Sequence, residues 1–217
     1  NLEEFTINAG LIINNNPVIG LINAPSKKRM FYSYGNNLAF EIINGKTIKL
    51  NCSKNFNKNE IKFVSYSNKI KPEIEAIHKK LNVKKYVRMK SSLKFCVIAA
   101  GEYDGYVAEP RACEWDIAAG HAILKHAGGM VTDFDNKEIK YGKRDFKNPS
   151  LILKSKNIFF TGGLEKISRS EAKSLAEANG GKVLGSISKK LDFVVMGNSK
   201  PTKSKIEKAR SLKIRII

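Results

Sequence analysis

Two acidic residues, Glu114 and Asp116, lie at the start of a predicted helix in the segment CEWDIAAGHAILKHAGG. Carboxylates at a helix N-terminus complement the positive end of the helix dipole, and the helix alone favours this structural role. Any chemical role for the two acids depends on the elements around the helix. The spacing of apolar residues predicts one buried helix face, which comprises Trp115, Ala118, Ala119, Ala122 and Ile123.

Residues 1–50 are predicted to form an antiparallel β meander. EFTINAGLII alternates in the manner of a strand, NNNP predicts a turn, and VIGLINA predicts the returning strand of a hairpin. MFYSYG, LAFEII and KTIKL continue the meander, with a tight turn at Asn44 and Gly45.

From residue 61 onward, strand and helix patterns alternate, which predicts an α/β arrangement. KPEIEAIHKKL is predicted to be a helix, KYVRM a strand, SSLKFCVIAAG a helix capped by serine, and DGYVA a strand. The helix with the two acids follows, and Gly128 and Gly129 end it before the strand MVTDF.

A second unit is predicted to begin near Asn157, so that the chain divides into domains at 1–155 and 156–217. NIFFTGG predicts a strand, and SRSEAKSLAEANGG predicts a helix with a serine cap and a terminal glycine. KVLG and DFVVMG predict strands, KSKIEKARSL a helix, and KIRII a last strand. The element order is therefore β-α-β-β-α-β.

The chain has 217 residues and a formal net charge of +19, which is unevenly distributed. Residues 1–150 hold 24 basic and 15 acidic residues, whereas residues 151–217 hold 15 and 5. The second unit is therefore the better candidate to meet a polyanion such as nucleic acid. Three cysteines without metal-site spacing and the lack of a long apolar run predict a cytoplasmic protein without a membrane span.

The segment SSLKFCVIAAGEYDGYVAEPRACEWDIAAGHAILKHAGG resembles the inositol monophosphatase-type metal-dependent phosphatases, and most closely their 3′(2′),5′-bisphosphate nucleotidase branch. The resemblance covers residues 3–155 and implies hydrolysis of a small phosphorylated substrate, a nucleotide bisphosphate or a sugar phosphate. It implies that Asp116 is a Mg²⁺ ligand beside Trp115, since Mg²⁺ prefers hard oxygen ligands.

The same resemblance implies a substrate side formed by four further residues. Ser91, Ser92 and Lys94 match the family's serine–lysine turn, whose hydroxyl and N–H groups suit a phosphate. Glu109 lies where inositol-type enzymes place a glutamate that binds a sugar hydroxyl. The family's other metal ligands precede the hairpin, so we expect the N-terminal part of the phosphatase to be missing and the chain alone to be inactive.

Residues 157–217 resemble the BRCT domain of bacterial NAD-dependent DNA ligases, without its C-terminal helix. The resemblance implies a phosphate pocket formed by Thr161, Gly162, Arg169 and Lys205, with DNA 5′-phosphate ends as possible partners. The alternative is that Thr161 and Arg169 only cap and solvate the fold.

Three interpretations of the whole chain stay open. It is a Mg²⁺-dependent phosphatase with a BRCT appendage, a DNA-end-binding module carried on an inert phosphatase remnant, or a composite gene fragment. The sequence favours phosphatase-family identity for the larger part and BRCT identity for the smaller part.

Overall fold

The computed structural model describes residues 4–54, 60–199 and 201–217, and the chain forms two compact units. The first unit spans residues 1–154 and the second spans residues 155–217. Each unit has its own hydrophobic core.

The first unit begins with the predicted meander. Its strands are β1 (Ile7–Ile13), β2 (Asn16–Ala24), β3 (Arg29–Ser33), β4 (Ala39–Ile43) and β5 (Lys46–Lys49). Neighbouring strands pair antiparallel in sequence order. Asn44 and Gly45 both have positive φ, which confirms the tight turn predicted between β4 and β5.

A second sheet and three helices complete this unit. They are β6 (Lys62–Ser65), α1 (Pro72–Leu81), β7 (Lys85–Arg88), α2 (Leu93–Ala99), β8 (Gly105–Ala108), α3 (Glu114–His126), β9 (Gly129–Thr132) and β10 (Leu151–Ser155). The sheet order is β7-β6-β8-β10-β9, with β6 parallel to both β7 and β8. The carboxyl ends of β6, β7 and β8 therefore meet at one edge.

Helix α3 packs on the meander where two glycines allow close approach. A Cβ at Gly20 would lie 2.2 Å from the carbonyl oxygen of Ala119, and a Cβ at Gly10 would lie 2.9 Å from its amide nitrogen. Ala118 and Ala119 are both buried, as the sequence pattern predicted. The contact fixes the position of α3 on the meander.

Two predictions about helix starts are wrong in detail. Trp115 was assigned to the buried face of α3 but is 64% exposed, because it lies in the first turn, before the stretch that packs on the glycines. Ser92 occupies the N-cap position of α2, yet its side chain does not cap the helix. Its hydroxyl instead donates to Asn8 Oδ1 at 2.6 Å.

The second unit has the predicted β-α-β-β-α-β order. Its elements are β11 (Asn157–Thr161), α4 (Arg169–Ala178), β12 (Lys182–Val183), β13 (Phe193–Met196), α5 (Lys203–Ser211) and β14 (Arg215–Ile216). The strands pair parallel in the order β12-β11-β13-β14. Ser168 and Glu171 form a capping box at α4, and Gly180 has a positive φ beyond its end, which confirms both predicted helix boundaries.

Candidate functional site

The two acids at the start of α3 lie in different environments. Asp116 is exposed, and its Oδ2 accepts a hydrogen bond from the Cys113 N–H at 2.8 Å. This bond returns to the N-cap residue, so Asp116 stabilises the start of α3 whether or not it binds a metal. Its Oδ1 is available as a single oxygen ligand.

Glu114 is buried, and its contacts identify it as a structural carboxylate. Its two oxygens accept hydrogen bonds from the N–H groups of Gly142 and Lys143, and Lys143 Nζ lies 2.6 Å from Oε1. Burial alone would raise the pKa of Glu114, but the bonds from Lys143 and Gly142 hold it below its ordinary value. Glu114 therefore ties the loop after β9 to α3.

The serine–lysine turn lies between β7 and α2, at the edge where the parallel strands end. Ser91 has a φ of +60°, and its hydroxyl accepts a hydrogen bond from the Leu93 N–H at 3.3 Å. The hydroxyl oxygen of Ser92 lies 2.8 Å from Thr6 Oγ1 and also donates a hydrogen bond to Asn8. The turn is therefore attached to the start of β1. Ligands of open α/β sheets bind beyond the carboxyl ends of strands, which is where this turn lies.

Lys94 is a buried cation directly behind this turn. Only 6% of the residue is exposed, and its Nζ donates to the carbonyl oxygens of Ser91 at 2.5 Å and Met89 at 3.3 Å. Burial and then the charge of Arg111 lower the pKa of Lys94 to about 8, against the opposing effect of Glu4. A buried ammonium bonded to carbonyl oxygens gains strongly from an anion that reaches it.

Two aromatic rings and an arginine complete this edge. Lys94 Nζ lies 5.2 Å from the ring centroid of Tyr106 and 5.9 Å from that of Tyr66. The guanidinium carbon of Arg111 lies 3.7 Å from the centroid of Tyr66. Glu109 forms an ion pair with Lys71 and lines the same cleft as Tyr66 and Arg111.

Within the described ranges, no group of three or more His, Cys, Asp or Glu side chains is placed to hold a metal ion. Asp116 offers one suitable oxygen, which is fewer than the several that Mg²⁺ takes from its ligands. The residues that the structure describes therefore do not fit a Mg²⁺ site by themselves, although Asp116 fits as one member of a larger ligand set.

Of the four predicted phosphate-binding residues of the second unit, three lie at the end of β11 or contact the turn after it, and the fourth lies on α5. Thr161 is buried at the end of β11, Gly162 has a φ of +78°, and Arg169 Nη2 donates to the Gly162 carbonyl at 2.8 Å. Lys205 lies in the first turn of α5, with its Nζ 5.4 Å from the ring centroid of Phe159. Arg169 and Lys205 are both exposed.

Sequence reasoning missed the stacking of Arg111 on Tyr66, because the two residues follow separate strands, and it missed the burial of Lys94. His121 of α3 is buried, with Nδ1 3.0 Å from the Tyr141 hydroxyl. Burial lowers the pKa of His121 to about 3, so its imidazole is neutral near pH 7.

Among the residues that the structure describes, no helix is long and apolar enough to cross a membrane.

The profile of the inositol monophosphatase family matches residues 1–189. The chain belongs to the inositol monophosphatase family. It is 32% identical over 152 residues to the 3′(2′),5′-bisphosphate nucleotidase CysQ of Salmonella typhimurium, and the match covers 67% of this chain and 58% of that protein. The chain thus spans less than two thirds of this relative.

The fold agrees with this family. The crystal structure of CysQ from Bacteroides thetaiotaomicron, a bacterial member of the inositol monophosphatase family, matches with a TM-score of 0.58 at 29% identity. The match covers 70% of this chain and 63% of that chain, and it confirms the predicted α/β fold class. A stretch of 70 residues is 47% identical to the DNA ligase of Pelagibacter ubique, and the match covers 32% of this chain and 10% of the ligase.

Proposed function

We propose that the first unit contributes the phosphate-binding side of a phosphomonoester hydrolase of the 3′(2′),5′-bisphosphate nucleotidase type. The observation that carries this proposal is Lys94, a buried cation behind the Ser91–Ser92 turn at the carboxyl edge of three parallel strands. A phosphate at this edge gains from the charge of Lys94 and from the hydroxyls of the turn. The nucleotidases among the relatives support this choice of substrate class.

In this proposal Asp116 is one member of a larger set of oxygen ligands of Mg²⁺. The metal would neutralise phosphate oxygens and activate water when bound. Because the described residues supply one site carboxylate rather than several, we predict that the purified chain binds the substrate but releases phosphate slowly or not at all. Ser91, Ser92, Lys94 and Glu109 act in binding and orientation.

The experiment measures binding and turnover of adenosine 3′,5′-bisphosphate by the full chain in the presence of Mg²⁺. Trp115 is the one tryptophan of the sequence, so its fluorescence reports on the start of α3. We expect Lys94→Met to weaken binding at least about tenfold, as loss of a charge-assisted bond implies. Lys49→Met, at an exposed lysine of β5, is the matched control.

Unchanged affinity of the Lys94→Met variant would contradict the proposed binding site. Phosphate release far above background by the unmodified chain, lost on adding a chelator, would instead contradict the prediction of inactivity. The two readouts are independent, since binding does not require a complete metal site.

A second function is favoured for the second unit by the contact between Arg169 and the Gly162 carbonyl. We propose that the ligase-like stretch corresponds to this unit and forms a BRCT-like module that binds DNA 5′-phosphate ends. Thr161, Gly162, Arg169 and Lys205 would supply a hydroxyl, a backbone N–H and two cations. Comparison of duplexes with 5′-phosphate and 5′-hydroxyl ends tests this, and equal binding at all salt concentrations would leave only general electrostatics.

A further inference from the structure

Tyr66 and Arg111 follow the carboxyl ends of β6 and β8, two neighbouring parallel strands. The guanidinium lies over the tyrosine ring at 3.7 Å, although both residues are exposed. A guanidinium stacked on an aromatic face keeps its N–H groups at its edge, where they can bond to a phosphate in pairs. The pair therefore presents a fixed donor surface beside the Lys94 site.

Further cations surround the same ring. Arg111, through hydrogen bonding and charge, lowers the pKa of the Tyr66 hydroxyl, and Lys90 and Arg88 act in the same direction. These cations come from the end of β7, the following loop and the loop after β8. Positive charge from three chain segments thus converges on one exposed aromatic side chain.

Two carboxylates act on this edge: Glu4 raises the pKa of Lys94, and Glu109 is already engaged. Glu109, which lines the cleft with Arg111, forms its ion pair with Lys71. Over the described part of the chain, Arg111 forms no ion pair. Its charge is therefore available to an incoming anion.

Stability does not explain the arrangement. An exposed cation–π contact is weak, and the like charges of Arg88, Lys90 and Lys94 oppose the placement of Arg111. The direct effect of Arg111 on Lys94 is to lower its pKa, so the two cations repel each other. An anionic ligand bound beside both cations would offset the repulsion between them.

We propose that Arg111, positioned by Tyr66, is a specificity-determining residue that binds a second phosphate group and so favours a bisphosphate over a monophosphate. The inference rests on the proposed function, in which Lys94 and the serine turn bind the first phosphate. Lys90 contributes to the second subsite through its charge, and Tyr66 acts as a positioning residue because it holds the guanidinium.

The experiment compares the dissociation constants of adenosine 3′,5′-bisphosphate and adenosine 3′-monophosphate, which keeps only the phosphate assigned to the Lys94 site, for the full chain. Arg111→Gln should weaken binding of the bisphosphate about tenfold or more and binding of the monophosphate less than about threefold. Arg111→Lys should recover only part of the preference, because an ammonium lacks the planar fork. Tyr66→Leu should reduce the preference, and Arg144→Gln, at an exposed arginine outside the cleft, should leave it unchanged.

An equal loss of affinity for both nucleotides in Arg111→Gln would overturn the inference, as would no loss at all. In either case a large effect of Lys94→Met would leave the proposed function standing. Lack of binding of both nucleotides to the wild-type chain would contradict the proposed function and this inference together. Circular dichroism of each variant checks the fold, and the exposed position of Arg111 makes unfolding an unexpected outcome.

Discussion

The two units present phosphate-binding candidates of different construction. In the first unit, Lys94 is buried behind a turn, and its ammonium is held by two carbonyl oxygens. In the second unit, Arg169 and Lys205 are exposed, and Arg169 donates to a single carbonyl. In the first arrangement, burial disfavours the charged form of the lysine. In the second, the charged groups are exposed to water.

This difference separates two kinds of anion recognition. A buried cation is weakly screened by salt and is sensitive to pH, because burial has moved its pKa toward neutrality. Exposed cations are strongly screened and keep their charge, so their contribution falls with salt rather than with pH. The first unit should therefore respond mainly to pH and the second mainly to ionic strength.

The largest expected effect comes from Gly20→Val, which disrupts the packing of α3 on the meander in the first unit only. The added side chain would collide with the Ala119 carbonyl, 2.2 Å from the Cβ position, and displace α3. We expect the first unit to lose about 3 kcal/mol or more of its free energy of unfolding, at the upper end of overpacking effects. Thermal melting followed by Trp115 fluorescence measures this, with Gly185→Ala, whose Cβ meets no atom within 4 Å, as the control. A melting temperature equal to that of the wild type would contradict the close packing.

Gly197→Ala is the corresponding test in the second unit. Its Cβ would lie 2.2 Å from the Gly163 carbonyl oxygen, so the turn after β11 must shift. We expect a loss of about 1–3 kcal/mol in the second unit and loss of any preference for 5′-phosphate ends. Denaturant unfolding and end-specific DNA binding check the two effects. Retention of both would show that the turn is not needed in its observed form.

A smaller effect is expected from the titration of Lys94 between pH 8 and pH 10. The folded pKa of about 8 lies below the ordinary 10.5, so over this range the unfolded chain binds more protons than the folded chain. The contribution of Lys94 to the free energy of unfolding therefore rises with pH, by on the order of 2 kcal/mol over this range. Lys94→Met should remove this rise. The groups that act on Lys94 are Arg111 and Glu4, and the comparison of wild type with variant cancels other titrations. Parallel pH profiles of the two proteins would refute a depressed pKa.

The smallest effect on stability is expected from Arg169→Gln, which changes the second site alone. Because the side chain is exposed, stability should change by less than about 0.5 kcal/mol. The preference for 5′-phosphate over 5′-hydroxyl DNA ends should fall severalfold. Lys213→Gln, in contrast, should weaken binding to both kinds of end equally. A competition binding assay decides between these outcomes, and an unchanged preference would exclude Arg169 from the pocket.

Local sequence signals predicted the order of elements well. The capping box at Ser168 and Glu171, the turn at Asn44–Gly45 and the glycine end of α4 all depend on neighbours within a few residues. The α/β class followed from the same alternation of patterns. Such signals suffice because helix caps and tight turns are decided by local backbone geometry.

Several features that sequence reasoning missed depend on distant partners. Ser92 bonds to Asn8, which is 84 residues away, rather than capping α2. Glu114 bonds to a loop 28 residues later, so its burial could not be distinguished from a general dipole effect. Arg111 meets Tyr66 only because β6 and β8 are neighbours in the sheet.

The most direct test is to measure the pKa of the Lys94 ammonium by NMR in the full chain, with and without adenosine 3′,5′-bisphosphate. Lys94→Arg identifies the resonance. A buried cation that binds phosphate should titrate near pH 8 without ligand and at a higher pH with ligand, because the anion stabilises the charged form. A pKa near 10.5 that the nucleotide does not change would contradict the assignment of this edge as a phosphate site.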